Sequence, residues 1–323
     1  MKEEQFLNTI SKVLDDSSLL GDDCAYLSDF NIYTTCDNLI EDVHFDLKTI
    51  DAISLGYKSV AVNLSDLASN LSTPKYILLG LSLPNYVSEE FFKDFYTGVN
   101  NICNKYNVKV AGGDITSSSK ICISVCALGI KNKIIASRKN KINAGDFVCT
   151  TGEFGSSILG FKILNDANLK NDYKNDELDY FIKKHIKPEP RIYEMNQILK
   201  SIDSETIAMM DTSDGLGDAL YKLAMINNVC LEVDFDKIPF HCSLKKNKNY
   251  KDYILWGGED YELLFIINKN DYHKLDKNLF HKIGVVKENI NNHPVVINYQ
   301  NNTCDIINDK IYKRKVFNHF EDK

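Results

Sequence analysis

The sequence predicts a mixed α/β protein built as two domains. Short apolar runs that end in aspartate or glycine alternate with longer segments whose apolar residues recur at helical spacing. At 323 residues the chain also exceeds what one typical core organises.

The elements follow in order. "MKEEQFLNTISKVLDD" (1–16) reads as a short amphipathic helix without the apolar region of a signal peptide. "NIYTTCD" (31–37) is a strand. Residues 52–68 place Ile53, Tyr57, Val60, Leu64 and Leu67 on one helical stripe. Asn63 and Asp66 fall off that stripe and are expected to face away from the core. "KYILLGLSLP" (75–84) is a strand closed by proline. Ser88 caps a helix that runs to about Lys105. "VKVAGGD" (108–114) is a strand ending in a glycine turn, and "ICISVCALGI" (121–130) is another strand. The polar connector 131–146 marks the expected boundary, giving domains 1–137 and 138–323. Residues 147–164 read as strand, glycine turn and helix. Residues 178–200 form two helical pieces interrupted by "KPEP". An apolar run then closes in Asp211-Thr212-Ser213-Asp214-Gly215 before another amphipathic segment. A strand at 229–235, the segment "LWGGEDYELLFIIN" (255–268) and a tail of short strands and turns complete the chain. No clear internal repeat is present.

Composition narrows the function. The formal net charge of −7 argues against non-specific nucleic-acid binding, which needs a basic surface. No apolar stretch reaches the length of a membrane span. The nine cysteines include no C-x-x-C pair, so neither a disulfide framework nor a structural zinc site is expected. A reducing cytoplasm is the expected location.

The acids carry the chemistry. Asp22-Asp23, Asp37, Asp114, Asp211 and Asp214 each follow an apolar run, and Asp66 joins them from a helix. Any one of these is ordinarily a turn or helix cap. Ionised aspartates near a core are costly without a positive partner, and Lys222 is the first lysine after the last pair. Carboxylates gathered at strand ends would repel one another unless a cation stood between them. Mg²⁺, a hard ion that prefers carboxylate and phosphate oxygens, suits such a set. Glycine beside an acid, as in Gly112-Gly113-Asp114, would let a phosphate approach the backbone. No G-x-x-x-x-G-K-[ST] loop is present, and "TGEFGSSILG" lacks dinucleotide-fingerprint spacing. Arg138 is one of three arginines in a lysine-rich chain; it is either an ion-pair partner or a planar fork for phosphate.

Eight segments taken together resemble a known family: "GDDCA", "AVNLSDLAS", "AGGD", "CTTGEFGSS", "KKHIKPEPRI", "DTSDGL", "GGEDYEL" and the closing "FNHF". The chain resembles the thiamine-monophosphate kinases, within the aminoimidazole-ribonucleotide synthetase-like superfamily, from Gly21 to Phe320. The resemblance implies a two-domain fold whose N-terminal sheets pair into a barrel in a homodimer. It implies ATP-dependent phosphorylation of thiamine phosphate to thiamine diphosphate with several Mg²⁺ ions. It assigns Asp23, Thr35, Cys36, Asp37, Asp66, Asp114, Asp211 and Asp214 to the metal site, and Gly113, Asp114, Arg138 and Ser213 to ATP. It assigns His44, Glu259 and Phe317 to thiamine phosphate. Taken alone, these last three read as a surface histidine, a turn before a strand and a packed aromatic.

The sequence departs from the family pattern in three places. Cys36 stands where threonine is usual, Asn70 replaces a glycine, and Ile115-Thr116-Ser117 replaces two threonines and a basic residue. The rival readings are a metal-dependent phosphohydrolase, a different ATP-dependent synthetase of the superfamily and a non-catalytic metal-binding protein. ATP-dependent turnover separates the last of these from the enzymes. The acceptor is already an ionised phosphate, so no strong general base is required. Two unit charges at ~4 Å repel by about 4 kcal/mol at an effective dielectric of 20, which explains why cations are needed.

Overall fold

In the computed structural model, which describes residues 3–289, 292–300 and 304–316, the strands gather into two open mixed sheets. The chain runs α1 (Glu3–Val13), β1 (Ala25–Leu27), β2 (Ile32–Ile40), α2 (Ala52–Ser69), β3 (Thr73–Leu83), α3 (Glu89–Tyr106), β4 (Lys109–Ser117), β5 (Cys122–Ile130) and β6 (Ile135–Ala136). It continues through β7 (Phe147–Thr151), α4 (Ser156–Asn165), α5 (Asn175–Ile186), α6 (Ile192–Ser201), β8 (Thr206–Asp211), α7 (Leu216–Asn227) and β9 (Val229–Asp234). The remaining elements are α8 (Tyr250–Trp256), β10 (Leu263–Ile267), α9 (Lys269–Lys274), β11 (Phe280–Glu288), β12 (Val295–Asn298), β13 (Cys304–Ile307) and α10 (Asp309–Lys315). The first sheet has the order β1-β2-β5-β3-β4, the second β13-β12-β9-β11-β7-β10-β8-β6. β6, from the expected connector, joins the second sheet parallel to β8.

α2 decides how the sheets meet. Asp51 caps it, its Oδ1 accepting from Ser54 N at 2.8 Å. The expected outward polar face is absent: every residue of α2 except Ala52, Ile53 and Asp66 is buried. The reason is that α2 packs on β2, β3 and β5 on one side and on β8 and α6 on the other. Its Leu55, Val60 and Leu64 share one apolar core with Leu79 and Val125 of the first sheet and Met209 and Phe265 of the second. Each such side chain contributes about 1.5–3 kcal/mol on full burial. Asn63 is therefore fully buried, and its polar atoms are satisfied internally. Its Nδ2 donates to Ser59 O and its Oδ1 accepts from Asp37 N, both at 3.1 Å.

α3 crosses α2 at glycine contacts. A Cβ on Gly56 would lie 2.0 Å from Phe95 O, and one on Gly98 would lie 1.9 Å from Ile53 O. Ser88 caps α3 as expected, Oγ accepting from Phe91 N at 3.1 Å. The glycine turn expected at 112–114 is instead continuous strand, because β4 runs on to Ser117 in parallel register with β3. A Cβ on Gly113 would sit 1.9 Å from Leu79 O, so close strand packing by itself requires glycine there. Among the described residues no helix is long and apolar enough to cross a membrane.

Candidate functional site

Three acids from separate elements converge between the sheets. Asp23 precedes β1, Asp66 lies on α2, and Asp211 closes β8; each offers an oxygen within 4.8 Å of the others. Hydroxyls of neighbouring residues hold them. Ser69 donates to Asp23 Oδ2 at 2.7 Å, Thr35 to Asp66 Oδ2 at 2.6 Å, and Ser65 to Asp211 Oδ2 at 2.7 Å. The backbone N of Asp211 reaches Asp23 Oδ2 at 3.3 Å. The "NLSDLAS" segment thus supplies one acid and both serines that orient the other two.

The remaining expected ligands are distributed differently. Asp37 lies within β2 rather than at its end, on the same face as Thr35, close enough to raise the Asp66 carboxyl. Cys36 points the opposite way: its exposed thiol lies 3.6 Å from Ser124 Oγ. Asp114 lies within β4, opposite Gly80, and lines an open cavity of about 230 Å³ with Asn38, Ser124 and Cys122. That cavity is on the sheet face turned away from α2, so the structure does not bring Asp114 to the three converging acids. Asp214 is 43% exposed and pairs with Lys222 at 3.3 Å. The lysine noted in the sequence therefore answers Asp214 and leaves Asp211 to the cluster.

The electrostatics of the cluster favour a cation. Burial pushes the Asp66 carboxyl well up, and Asp37 and Asp211 push it further. Burial also raises Asp211, partly offset by Ser65, Ser213 and Arg138. Asp37 is pushed up to about 6, first by burial and then by Asp211 and Asp214. Three hard oxygen donors from separate elements, with Asp66 and Asp211 held up by burial, fit Mg²⁺. The Asp37, Asp66 and Asp211 carboxyls lie above their ordinary value of 3.8 in the folded chain. Between about pH 4 and 6 the metal-free fold then binds more protons than the unfolded chain and loses stability as pH rises. A cation competes with those protons, so the rise in melting temperature on adding Mg²⁺ is expected to be larger at pH 7.5 than at pH 5. Melting curves with Mg²⁺ and with EDTA at both pH values measure this; an increment that shrinks with pH contradicts the assignment.

Around the cluster, Arg138 donates through Nη2 to Asp23 Oδ1, while its Nε lies 3.6 Å from Asp22 Oδ1 and is buried without a hydrogen bond. The "DTSDGL" and "GGEDYEL" segments are stitched together. Thr212 N and Oγ1 donate to Glu262 O at 2.9 and 3.1 Å, and Glu259 N donates to Ser213 O at 2.7 Å. Gly215, at φ +103, then starts α7. His44 sits half-buried in the turn after β2, its Nδ1 accepting from Ile40 N at 3.1 Å. Phe317 lies outside the described residues.

Comparisons with known proteins place the whole chain among relatives. The model of the AIR synthase related protein N-terminal domain family matches residues 21–131. The chain is 31% identical to the thiamine-monophosphate kinase of Bacillus subtilis (strain 168), covering 94% of this chain and 93% of that protein. It is 34% identical to the thiamine-monophosphate kinase of Buchnera aphidicola subsp. Acyrthosiphon pisum, over 99% and 95%. The chain belongs to the thiamine-monophosphate kinase family. A solved structure described as AaThiL complexed with AMPPCP and TMP superposes with a TM-score of 0.83 at 31% identity, covering 99% of this chain and 97% of that one.

For this member of the thiamine-monophosphate kinase family, residue-by-residue reasoning missed a second charged group. Lys58, 1% exposed, places its Nζ 3.1 Å from Glu259 Oε2, and His185 Nδ1 lies 3.1 Å from the same oxygen. Arg191 clamps the buried Glu262 through Nε at 2.6 Å and through Nη2. A signal was present: Lys58 and Asp66 are the two charged residues of the 18-residue α2. A lone charge in a helix that is otherwise apolar and small needs a buried partner.

Proposed function

We propose that this protein transfers the γ-phosphoryl group of ATP to thiamine phosphate, forming thiamine diphosphate by direct in-line transfer without a phosphoenzyme. The observation that carries this reading is the full-length likeness to a structure holding AMPPCP and TMP, in a chain whose matching motifs meet at three converging acids. Asp23, Asp66 and Asp211, with Asp37 beside them, would hold Mg²⁺; Thr35, Cys36 through its carbonyl and Asp214 complete the proposed set, while Asp114 stands apart on the other face of the first sheet. Bound there, Mg²⁺ would neutralise charge on the phosphates and on the moving phosphoryl group.

The chain's own residues do the rest. Arg138, whose guanidinium stands beside Asp23 and is 16% exposed, is the planar cation assigned to an ATP phosphate, alongside the Gly113 and Ser213 backbones. Glu259, His44 and Phe317 receive the thiamine phosphate, the last by stacking on its aromatic or cationic rings. The acceptor oxygen is already ionised, so no side chain is assigned to remove a proton.

A homodimer belongs to the same proposal. β4 is exposed along its length and ends the first sheet with an unpaired edge. Tyr76 and Leu78 stand exposed on the neighbouring strand. A second copy seated on this sheet would close a barrel and bring Asp114 and the open cavity into an enclosed site. The protein is placed in the cytoplasm, with no membrane or nucleic-acid partner.

Purified protein with ATP, Mg²⁺ and thiamine phosphate should yield thiamine diphosphate on chromatography. Unphosphorylated thiamine should be a poor acceptor, because it lacks the phosphate oxygen that attacks. Phosphate release from ATP that is indifferent to the acceptor would indicate a phosphohydrolase instead.

A further inference from the structure

Glu259 stands in an unusual position. Its backbone is left-handed, at φ +66, as is that of Tyr261 at φ +52. Such conformations are costly for residues with side chains and persist where surroundings fix them. Here the flanking acids are pinned. Asp260 accepts from Gly155 N at 2.6 Å and Ser157 N at 2.9 Å, and Glu262 is held by Arg191 and Thr151. The side chain of Glu259 is 29% exposed, and both of its side-chain contacts, Lys58 Nζ and His185 Nδ1, fall on Oε2. His185 Nδ1 is also 3.2 Å from Ser157 Oγ, at the start of α4.

We propose that Lys58 and His185 are positioning residues for the acceptor: by clamping Oε2 of Glu259 they present Oε1 as a fixed hydrogen-bond acceptor for the aminopyrimidine N–H of thiamine phosphate. The inference rests on the reading of Glu259 as a thiamine-phosphate contact. Lys58 and Glu259 neutralise one another, so the loop offers directionality rather than net negative charge. That suits a neutral N–H donor better than a permanent cation. Lys58 has a second consequence. It lies eight residues from Asp66 on the same helix, about 12 Å along the axis at 1.5 Å per residue. α2 therefore acts as a ruler between the acceptor's ring and the acids that receive its phosphate.

The test combines kinetics with binding. Lys58→Met, which keeps length and removes charge, and His185→Phe should each raise the thiamine-phosphate KM by about 10-fold or more, as expected for one charge-assisted hydrogen bond. The ATP KM should stay within about twofold in both, since neither residue is assigned to ATP. His185→Gln, which keeps a donor, should be near wild type. In the Lys58→Met/Glu259→Gln double variant the effect should not exceed that of Glu259→Gln alone, because Lys58 acts through Glu259. Multiplying effects, equal rises in both KM values, or His185→Gln as impaired as His185→Phe would overturn the assignment. If Lys58→Met does not fold, the two His185 variants decide. Calorimetric titration of the wild type with thiamine phosphate separates the two levels. No binding overturns the reading of Glu259 and this inference with it, whereas tight binding that survives Lys58→Met and His185→Phe overturns the positioning role alone.

Discussion

Asp211→Asn should lower turnover by at least about 100-fold while leaving the melting temperature of the metal-free protein unchanged or higher. The two readouts diverge for one physical reason. Asp211 is buried beside Asp23 and Asp66, so its charge is unfavourable in the empty fold and useful only when a cation is present. Asparagine keeps the volume and one acceptor for Ser65 Oγ or Ser213 N, but removes the charge. Loss of residues that merely support metal ligands costs 10–100-fold in many sites, and a ligand should cost more. Asp66→Asn should behave alike, since Thr35 can still donate to the amide oxygen. Steady-state rates at saturating Mg²⁺, with melting curves in EDTA, measure both halves. Near-normal rates in both variants would remove these acids from the metal site.

Arg191→Met should destabilise the protein by about 3–5 kcal/mol, the cost of leaving a buried carboxylate with only the more distant Lys184 Nζ, 4.0 Å away, as a charged neighbour. Glu262 is fully buried and accepts from Arg191 and from Thr151 Oγ1 at 2.7 Å. The packing offers little room to relax: a Cβ on Gly152 would lie 2.1 Å from Glu262 Oε1. Burial alone would weaken the Arg191 charge, but Glu262 more than offsets this and holds it firmly protonated. Adding Glu262→Gln to Arg191→Met should recover part of the loss, because no uncompensated charge remains. Urea unfolding of the single and double variants measures the difference. A loss below about 1 kcal/mol for Arg191→Met, the range of a surface pair, would show that the carboxylate finds other support.

Local signals in the sequence identified the elements whose causes are local. Ser88 caps its helix because the hydroxyl needs only the next turn, and "KPEP" separates α5 from α6 because proline cannot continue a helix. The motifs single out Asp23, Asp66 and Asp211, and the fold brings these three acids together. Asn63 was misplaced because a helical stripe identifies one buried face, whereas α2 has two. The partner of Lys58 is not legible locally for a different reason: Glu259 is 201 residues away, and only the tertiary fold brings them together. Asp114 was grouped with the other acids because strand-end position ignores which face of a sheet a residue takes. Register with Gly80 decides that, and register is not written locally.

The placement of α2 bears on how the chain can be divided. One apolar interior runs from Leu79 and Val125 through this helix to Met209, Phe265 and Phe280. The second sheet carries a further core of its own around Leu220, Leu231 and Val286, but the first sheet has only the shared one, and a polypeptide ending near residue 137 would leave the far side of α2 facing water. The acid cluster inherits this indivisibility. Asp66 stands on the shared helix and Asp211 on the opposite wall, so loosening either half scatters the ligands. Exchanging the N-terminal half like a module with that of another protein would therefore require rebuilding the interior between α2 and the second sheet.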